Sequence, residues 1–579
     1  MSSESVATQR PSLVQTLEKW APGIRAIRTY DRAWLAKDLI AGIILCALLV
    51  PQGMAYAELA GLPAITGLYT TIVCLFAYAV FGPSPYLVLG PDSSLGPMIA
   101  AVILPLALGN DEYAIALAGM LALFVGLICA GAGLARLGFI ADLLSAPVRV
   151  GYLAGLAVTI FVGQLPKLFG FSTDADSFIG DIAAFVQNLD QTNIYALAVG
   201  TLCLAVILGL KRWKPTWPGI LFAVVAAILI TVVFDLAAKG VDTVGVLPQG
   251  FPAPSFPRVD LADMTLLAAA ALGISLVAIG DTISTSAGFA TRRGYEIDSD
   301  QEMVGIGTAN LFAGLFSGFP VSTSGSRTAV AEQSGAKTQL TGVVAGLLVL
   351  AMLLVAPGLV QNLPQPALAA IVITAAISLF DVKALRRLYA MRKGEFILAV
   401  VCALGVILVG VLQGIVIAVV VAVFQFFERS WRPHSAVLGE PEGVDGYQDI
   451  KEYPEAAQIP GLLMIRWDAP LFFANANLFR KMVRDELAKM DPKPYWVLVA
   501  AEPVTDVDTT AAEILKDLDE ELNAGGIHLA FAELKDPVKA SIVRYGLLGT
   551  IDSRHFYHTL ESAVAAYHEE KPGDSEGGE

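Results

Sequence analysis

The chain has 579 residues, of which 55% are hydrophobic and 16% are charged, and its mean hydropathy is +0.64. Soluble globular proteins carry roughly 25% charged residues, so this composition is that of a membrane protein and excludes an ordinary soluble enzyme. The formal net charge of −15 lacks the basic excess typical of nucleic-acid binders, so no nucleic-acid partner is expected.

The N-terminal segment, residues 1–37, is polar, and the first apolar run continues into "PQGMAYA" without a cleavage site, so no signal peptide is predicted. Hydropathy then predicts an α-helical polytopic membrane domain over 38–430, with about fourteen segments, some too short to cross a bilayer alone. The predicted segments are 38–58, 62–82, 86–108, 112–134, 141–165, 194–211, 217–238, 264–290, 303–318, 325–335, 338–358, 366–381, 394–411 and 413–430.

Lysine and arginine indicate the orientation of these segments. Basic residues cluster before the first segment and then at Arg136, 211–214, Arg292–Arg293, 383–393 and 429–432. With a cytoplasmic N-terminus and an even number of segments, every cluster lies on the cytoplasmic side, as the positive-inside rule requires. We therefore expect a multi-pass protein of the plasma (inner) membrane, embedded in the lipid bilayer.

Two segments are interrupted by glycine, proline and hydroxyl residues: "LGPDSSLGPM" in the third and "GFPVSTSGSRTAVA" in the tenth. They hold matching places if segments one to seven and eight to fourteen form two halves, a pattern typical of transporter binding sites. A half-helix that begins at such a break presents free N–H groups and a positive dipole end, which favour an anion.

The second break adds further groups that suit an anion. Ser322, Thr323, Ser324 and Ser326 supply hydroxyl donors, Gly325 lets a ligand approach the backbone, and Arg327 supplies a permanent positive charge. The structural alternative is a kinked helix whose hydroxyls bond its own carbonyl groups. Two matched breaks with a buried arginine favour the binding site.

A carboxylate, Asp281, lies well inside the eighth segment in "VAIGDTISTSAGFA", and Thr285 follows on the same helical face. One interpretation is a Na⁺ site formed by Asp281 and Thr285. A second is that Asp281 carries a proton. A third is an ion pair between Asp281 and Arg327 that couples nothing. No cofactor other than a possible Na⁺ ion is expected.

After a linker at 431–446 the chain changes character. Short apolar runs alternate with amphipathic periods from 447 to 569, which predicts an α/β domain on the cytoplasmic side, followed by an acidic disordered tail at 570–579. Thr510 and Glu513 predict a capping box for its middle helix, which Gly525–Gly526 can end.

Enzyme motifs are not found in the sequence. The five cysteines lie in apolar segments without metal-type spacing, and the five histidines form no HExxH or triad-like pattern. A P-loop is absent, which argues against an ATP-driven pump. We predict no catalytic residues.

Several long motifs resemble the SulP (sulfate permease) family of anion transporters, whose members end in a STAS domain: "VPQGMAYAELAGLPAITGLYT", "GPDSS" and "GFPVSTSGSRTAVAEQSGAKTQLTG". The resemblance covers about residues 34–568. It implies seven plus seven inverted segments, a core domain that moves against a gate domain, and a homodimer. Carried over by motif, it implies an anion site that comprises Gln52, Ser93, Ser94, Ser324, Gly325, Ser326 and, electrostatically, Arg327.

The resemblance also bears on coupling and regulation. An Asp-x-x-x-Thr pattern like that of Asp281 and Thr285 binds Na⁺ in a sodium-coupled bicarbonate member of the family, whereas many members carry glutamate there, which suits protons. The bacterial anti-sigma-antagonist pattern Asp-Ser-Ser-Gly is replaced here by "DTTA", Asp508 to Ala511. We therefore expect the STAS domain to serve dimerisation or regulation.

The sequence thus predicts a secondary active transporter of small inorganic anions, with sulfate or bicarbonate as leading substrates, coupled to Na⁺ or H⁺ and working by an elevator-type movement. The alternatives are a dicarboxylate transporter and an uncoupled anion channel or exchanger regulated by the STAS domain. A nucleobase transporter is less consistent, since it would carry carboxylates in both the eighth and tenth segments.

Overall fold

The structure, a computed structural model, describes residue 18 and residues 20–138, 145–173, 177–214 and 217–570. The chain divides into two compact units, Met1–Ala422 and Val423–Glu579. The first residues of the predicted fifth segment, 141–144, and the predicted tail after residue 570 lie outside the described residues.

The first unit is helical, and the predicted fourteen membrane segments are confirmed. Seven stretches of the described residues are long and apolar enough to cross a membrane by themselves; one of them, Gln365–Met391, has a break after Leu379, and several other apolar helices are shorter. The helices are α1 (Pro22–Arg28), α2 (Leu35–Leu59), α3 (Ala64–Phe81), α4 (Gly96–Ala107), α5 (Asp111–Leu134), α6 (Ala146–Phe169), α7 (Phe178–Gln187), α8 (Ile194–Trp213), α9 (Gly219–Val233), α10 (Leu261–Arg293), α11 (Ser299–Leu315), α12 (Gly325–Gln333), α13 (Leu340–Val355), α14 (Gln365–Leu379), α15 (Val382–Met391), α16 (Lys393–Val409) and α17 (Val411–Trp431).

These helices pack in two groups, each of which draws on both halves of the chain, as the inverted repeat predicts. In the core group, α2 to α5 pack with α10 to α13; in the gate group, α6, α8 and α9 pack with α14 and α16. Glycines allow close helix contact within the core group. A Cβ added to Gly126 of α5 would lie 2.7 Å from the backbone nitrogen of Leu311 in α11.

A buried carboxylate, Asp38 near the start of α2, fixes the turn that connects α12 to α13. Asp38 is fully buried. It accepts hydrogen bonds from the backbone nitrogen of Lys337 at 2.6 Å, from the Thr338 hydroxyl at 2.8 Å and from the Tyr30 hydroxyl at 3.1 Å. A buried charge needs such partners, and here they hold the end of a broken segment in place.

The second unit contains a six-stranded sheet covered by helices on both faces. Its elements are β3 (Ser435–Gly439), β4 (Gln448–Asp449), β5 (Leu462–Trp467), α18 (Ala476–Leu487), β6 (Trp496–Ala500), α19 (Thr509–Ala524), β7 (His528–Ala532), α20 (Asp536–Arg544), β8 (Phe556–Tyr557) and α21 (Leu560–Glu570). The strand order is β4-β3-β5-β6-β7-β8, with β5 to β8 parallel and β3 antiparallel to both of its neighbours. Helices α18 to α20 pack on one face, and α21 packs on the other.

The α/β alternation predicted for this unit is confirmed, but the predicted cap of α19 is wrong. The N-cap residue is Asp508, whose carboxylate accepts a hydrogen bond from the backbone nitrogen of Ala511 at 2.7 Å. Thr510 lies inside the first turn. Asp and Thr both suit an N-cap. Asp508 takes the role because it is the last residue with an extended backbone before the helix begins at Thr509.

Candidate anion-binding site

The two broken segments meet through a short antiparallel ribbon in the core group. Its strands are β1 (Leu89–Gly90) and β2 (Ser322–Thr323). The pairing continues where the backbone nitrogen of Ser324 donates to the carbonyl of Val88 at 3.2 Å. Irregular backbone is tolerated inside a membrane only where protein or a cavity satisfies it, and here each extended segment satisfies the other.

Helices α4 and α12 begin just after this ribbon, so their N-terminal ends lie beside one cavity. The cavity has a volume of about 400 Å³. It is lined by eight of the predicted site residues, namely Gln52, Ser93, Ser94, Asp281, Thr285, Ser324, Gly325 and Ser326. The ninth, Arg327, is not among the lining residues.

Hydroxyl groups line the α12 side of the cavity. The Ser324 hydroxyl is the N-cap of α12 and lies 3.1 Å from the Ser326 hydroxyl. Thr323 donates to the Thr282 hydroxyl of α10 at 3.0 Å, which ties the ribbon to that helix. A Cβ added to Gly325 would meet only Thr285, at 3.9 Å, so the backbone of Gly325 is open to the cavity.

Arg327 lies behind the ribbon and is fully buried. Its Nη2 donates to the carbonyl of Gly90 at 3.4 Å and lies 3.7 Å from a carboxylate oxygen of Asp92. Its Nε and Nη1 have no hydrogen-bond partner among the described residues. The ion pair weighed between Arg327 and Asp281 is therefore not observed, since the nearby carboxylate is Asp92. In the low dielectric of the bundle this charge raises the potential of the cavity.

Two carboxylates share one hydroxyl at the α4 side of the cavity. A carboxylate oxygen of Asp92 accepts from the Ser94 hydroxyl at 2.7 Å and from the Ser94 backbone nitrogen at 3.0 Å. The same Ser94 hydroxyl lies 3.1 Å from a carboxylate oxygen of Asp281. Asp92 thus holds the turn that precedes α4, and Asp281 reaches the same turn from α10.

The cavity also contains residues that the sequence analysis did not assign to the site. Tyr56 lies one helical turn after Gln52 on α2, and this spacing was a signal that it faces the same side. Thr323, one of the hydroxyl donors expected from the second break, also lines the cavity, as does Asp92 of the first break. Lys211 of α8 lines the cavity from the gate group, where it donates to the Ser378 hydroxyl of α14 at 2.8 Å.

The two helix groups form walls of different character. The core group supplies the hydroxyls, the carboxylates and the half-helix ends, whereas the gate wall is mostly apolar, with Leu153, Ile207, Ile220, Ile371 and Leu379. The cavity extends to Lys211 and Trp217, at the membrane side that carries the basic clusters, which we call the basic side. On the other side the groups meet where Gln365 of α14 donates to Glu58 of α2 at 2.9 Å.

Sodium is the one metal ion that the sequence analysis implied, and oxygen donors suitable for it face the cavity. Asp281 and Thr285 both line it, and Na⁺, like other hard cations, takes oxygen ligands. Among the described residues no group of three or more His, Cys, Asp or Glu residues is arranged to hold a metal ion. A Na⁺ ion here would therefore depend on Asp281 and Thr285 with further oxygens, and Asp92 is the other carboxylate that lines the cavity.

Comparisons with known proteins agree with this architecture. The sulfate permease family model matches residues 35–402, and the STAS domain model matches residues 453–563. A probable sulfate transporter of Mycobacterium tuberculosis is 40% identical over 548 residues, 95% of this chain and 98% of that protein. Sulfate transporter 4.1 of Arabidopsis thaliana, described as chloroplastic, is 33% identical over 573 residues, 96% of this chain and 84% of that protein.

Solved structures share the fold at lower sequence identity. The murine solute carrier 26 family member A9 anion transporter, in its inward-facing state, is similar with a TM-score of 0.89 and 22% identity, over 98% of this chain and 97% of that chain. The transmembrane domain of the bicarbonate transporter BicA of a cyanobacterium is similar with a TM-score of 0.59 and 22% identity, over 68% of this chain and 97% of that chain.

Proposed function

Because this chain belongs to the sulfate permease family of anion transporters and is no enzyme, we propose that it is a secondary active transporter of a small inorganic anion, with sulfate as the leading substrate and bicarbonate as the next. The observation that carries the proposal is the cavity between the N-terminal ends of α4 and α12. The relatives that are 40% and 33% identical over nearly the whole chain are named as sulfate transporters, which supports sulfate.

The chemistry of the cavity suits an oxyanion. Hydroxyls of Ser93, Ser324 and Ser326 line it together with the Gln52 amide, and all of these groups can donate hydrogen bonds to anion oxygens. Two helix N-termini and the buried Arg327 add positive potential from the core group, and Lys211 of the gate group adds a cation at the basic side of the cavity. A site of this kind attracts an anion and still allows it to leave.

We propose that Asp281 couples transport to a proton. The Ser94 hydroxyl carries a single hydrogen, which it can donate to only one of the two carboxylates beside it. A proton on Asp281 supplies the missing hydrogen, since Asp281 then donates to Ser94 while Ser94 donates to Asp92. The alternative is cotransport with Na⁺ bound by Asp281 and Thr285. It predicts that a Na⁺ gradient, and not a proton gradient, drives uptake.

We propose an elevator-type movement of the core group against the gate group. The half-helix ends, the carboxylates and most hydroxyls of the site belong to core helices or to the ribbon between them, and the gate offers a largely apolar wall, with Lys211, Thr374 and Ser378 as its polar residues, along which the core group can slide. The positive-inside rule supports a cytoplasmic basic side in the inner membrane, with the N-terminus and the STAS domain cytoplasmic. For the STAS domain, within the predicted bounds 447–569, we propose a role in homodimerisation or regulation.

Uptake of labelled sulfate into proteoliposomes tests the proposal. We expect saturable uptake that an inward proton gradient drives above equilibrium and that unlabelled sulfate inhibits. Bicarbonate, fumarate and chloride, added separately as competitors, identify the preferred anion. Accumulation driven by a Na⁺ gradient would show that sodium, and not a proton, is the coupling ion. A flux that neither gradient can drive uphill would indicate a channel or an uncoupled exchanger.

A further inference from the structure

We propose that the exposed basic face of α15 binds the headgroups of anionic phospholipids in the leaflet on the basic side. This face is formed by Lys383, Arg386 and Arg387. The helix lies between two membrane segments, since α14 ends at Leu379 and α16 begins at Lys393. Because α15 has ten residues and carries charge, it is too short to cross a bilayer, and we place it at the membrane surface, where headgroups are its nearest neighbours.

The sequence of α15 separates charge from apolar side chains. At 100° per residue, Lys383, Arg386 and Arg387 fall within one third of the helix circumference, and all three are exposed. Leu385 and Leu388 lie on the opposite side and are half-buried. Asp381, the N-cap, accepts from the backbone nitrogen of Ala384 at 3.0 Å, so the acid nearest to the helix is already used as a cap.

The basic face has no protein counter-charge. Within the described part of the chain, Lys383, Arg386 and Arg387 form no ion pair, and only Arg387 makes a side-chain hydrogen bond, from its Nε to the sulfur of Met391 at 3.4 Å. Unpaired guanidinium groups suit phosphate oxygens, which they can bind through two parallel hydrogen bonds. Two guanidinium groups and the Lys383 ammonium group on one helix face therefore favour an anionic surface.

Exposed apolar side chains flank the same face and favour a lipid over a soluble acidic partner. Val382, Tyr389 and Met391 of α15 are 45%, 57% and 68% exposed. Basic amphipathic helices that lie in the membrane interface bury such side chains at the acyl boundary while their cations stay among the headgroups. A soluble acidic partner would leave Val382 and Met391 exposed to water, whereas the Tyr389 ring also packs against Phe396.

The end of α8 extends the basic face with residues typical of the membrane interface. The hydrogen bond from Lys211 to Ser378 brings the end of α8 beside the end of α14, shortly before α15 begins. Trp213 there is 87% exposed, and the ammonium group of Lys214 lies 4.9 Å from the ring centre of Trp217. Tryptophan beside lysine is characteristic of the headgroup layer.

The location of α15 connects this surface to transport. Thr374 and Ser378 of α14 line the anion cavity, and α15 follows directly after α14. An anionic lipid held on α15 would anchor the gate wall of the cavity to the membrane while the core group moves. This consequence depends on the proposed function, whereas lipid binding itself does not.

Native mass spectrometry of the purified full chain tests the binding. The protein is mixed with equal amounts of phosphatidylglycerol and phosphatidylcholine, and bound lipids are counted. We expect a preference for phosphatidylglycerol that falls by at least about tenfold in the triple variant Lys383→Gln, Arg386→Gln, Arg387→Gln. A triple variant with the same loss of charge in the second unit, Lys481→Gln, Lys493→Gln, Lys535→Gln, should retain the preference.

A second triple variant separates charge from folding. Lys383→Arg, Arg386→Lys, Arg387→Lys keeps the charge of the face and should retain most of the lipid preference, with a modest loss because one guanidinium group replaces two. The proposal is overturned if the glutamine variant keeps its lipid preference, or if the charge-preserving variant loses it. Equal competition by soluble glycerol phosphate would also overturn it, since the site would then be one for free phosphate. Transport activity is not needed for any of these results.

Discussion

The Ser94 hydroxyl lies 3.1 Å from a carboxylate oxygen of Asp281 while it also lies 2.7 Å from one of Asp92. One hydrogen therefore faces two carboxylates, one from α10 and one from the turn before α4. This relationship joins the two elements on which the proposed coupling and the proposed anion site depend.

The first prediction concerns Asp281→Asn. The amide can donate permanently to Ser94, so the site keeps its hydrogen bonds but can no longer take up and release a proton. We expect sulfate exchange between the two sides of a proteoliposome to continue while proton-driven accumulation falls at least tenfold. Asp281→Glu is the control and should retain accumulation. Uphill uptake by the asparagine variant at the unmodified rate would refute the coupling role.

The second prediction concerns Gly90→Ala. A Cβ at this position would lie 2.7 Å from Nη1 of Arg327, so the buried guanidinium must move away from the ribbon. We expect weaker anion binding, with the sulfate KM raised about tenfold, because the positive charge shifts relative to the cavity. Gly109→Ala has no atom within 4 Å of its added Cβ and serves as the spatial control. An unchanged KM for Gly90→Ala would show that the position of Arg327 does not matter.

The third prediction concerns the contact between Glu58 and Gln365 on the side opposite the open cavity. If the core group moves against the gate group, this contact must break in each cycle. We expect the pair Glu58→Cys and Gln365→Cys, joined by a reducible bifunctional thiol reagent, to stop transport, and reduction to restore it. The variants with only one added cysteine, Glu58→Cys or Gln365→Cys, control for reaction of the reagent at the native cysteines. Full activity in a protein shown to be cross-linked would exclude the movement.

The fourth prediction concerns the cap of α19. Asp508 accepts from the backbone nitrogens of Ala511 at 2.7 Å and Phe473 at 2.9 Å. Asp508→Ala should lower the free energy of unfolding of the second unit by about 1–2 kcal/mol. Thr510→Ala should change it by less than about 0.5 kcal/mol. Urea denaturation of the second unit as a soluble fragment, which has its own hydrophobic cores, measures both values.

The fifth prediction concerns the pH dependence of the same fragment. Burial raises the pKa of Asp519 from 3.8 to about 6, against the opposing effect of the hydrogen bond from Asn523. The folded state thus holds this proton more tightly than the unfolded chain, so the contribution of Asp519 to stability is full below pH 4 and is lost as the pH rises through 6. Asp519→Asn should remove this loss and raise the free energy of unfolding at pH 7 by about 1–2 kcal/mol. Parallel stability curves for the two proteins between pH 4 and 7 would contradict the assignment.

Local patterns predicted the parts of the structure that local forces determine. Hydropathy located the fourteen segments, and glycine with proline located both breaks, because these residues cannot continue a regular helix without cost. In the second unit, short apolar runs predicted the strands and the amphipathic stretches between them predicted the helices. The short helices α1, α7 and α15 were not predicted, since each is too brief for a clear hydropathy signal.

Pairings between distant residues could not be predicted in the same way. Nothing near Leu89 indicates that it pairs with Thr323, and nothing near Arg327 indicates that its carboxylate neighbour is Asp92 and not Asp281. The residues of the site were named by motif, but the sharing of the Ser94 hydroxyl depends on how three elements pack. Such contacts are set by the tertiary structure, which a single sequence does not report.

The ribbon formed by β1 and β2 has a consequence for the direction of transport. Since it joins the segments before α4 and α12 by backbone hydrogen bonds, the proposed anion site is formed without the anion and would move as one unit with the core group. Influx and efflux would then use the same binding site. The protein should therefore rank competing anions in the same order from either face of the membrane.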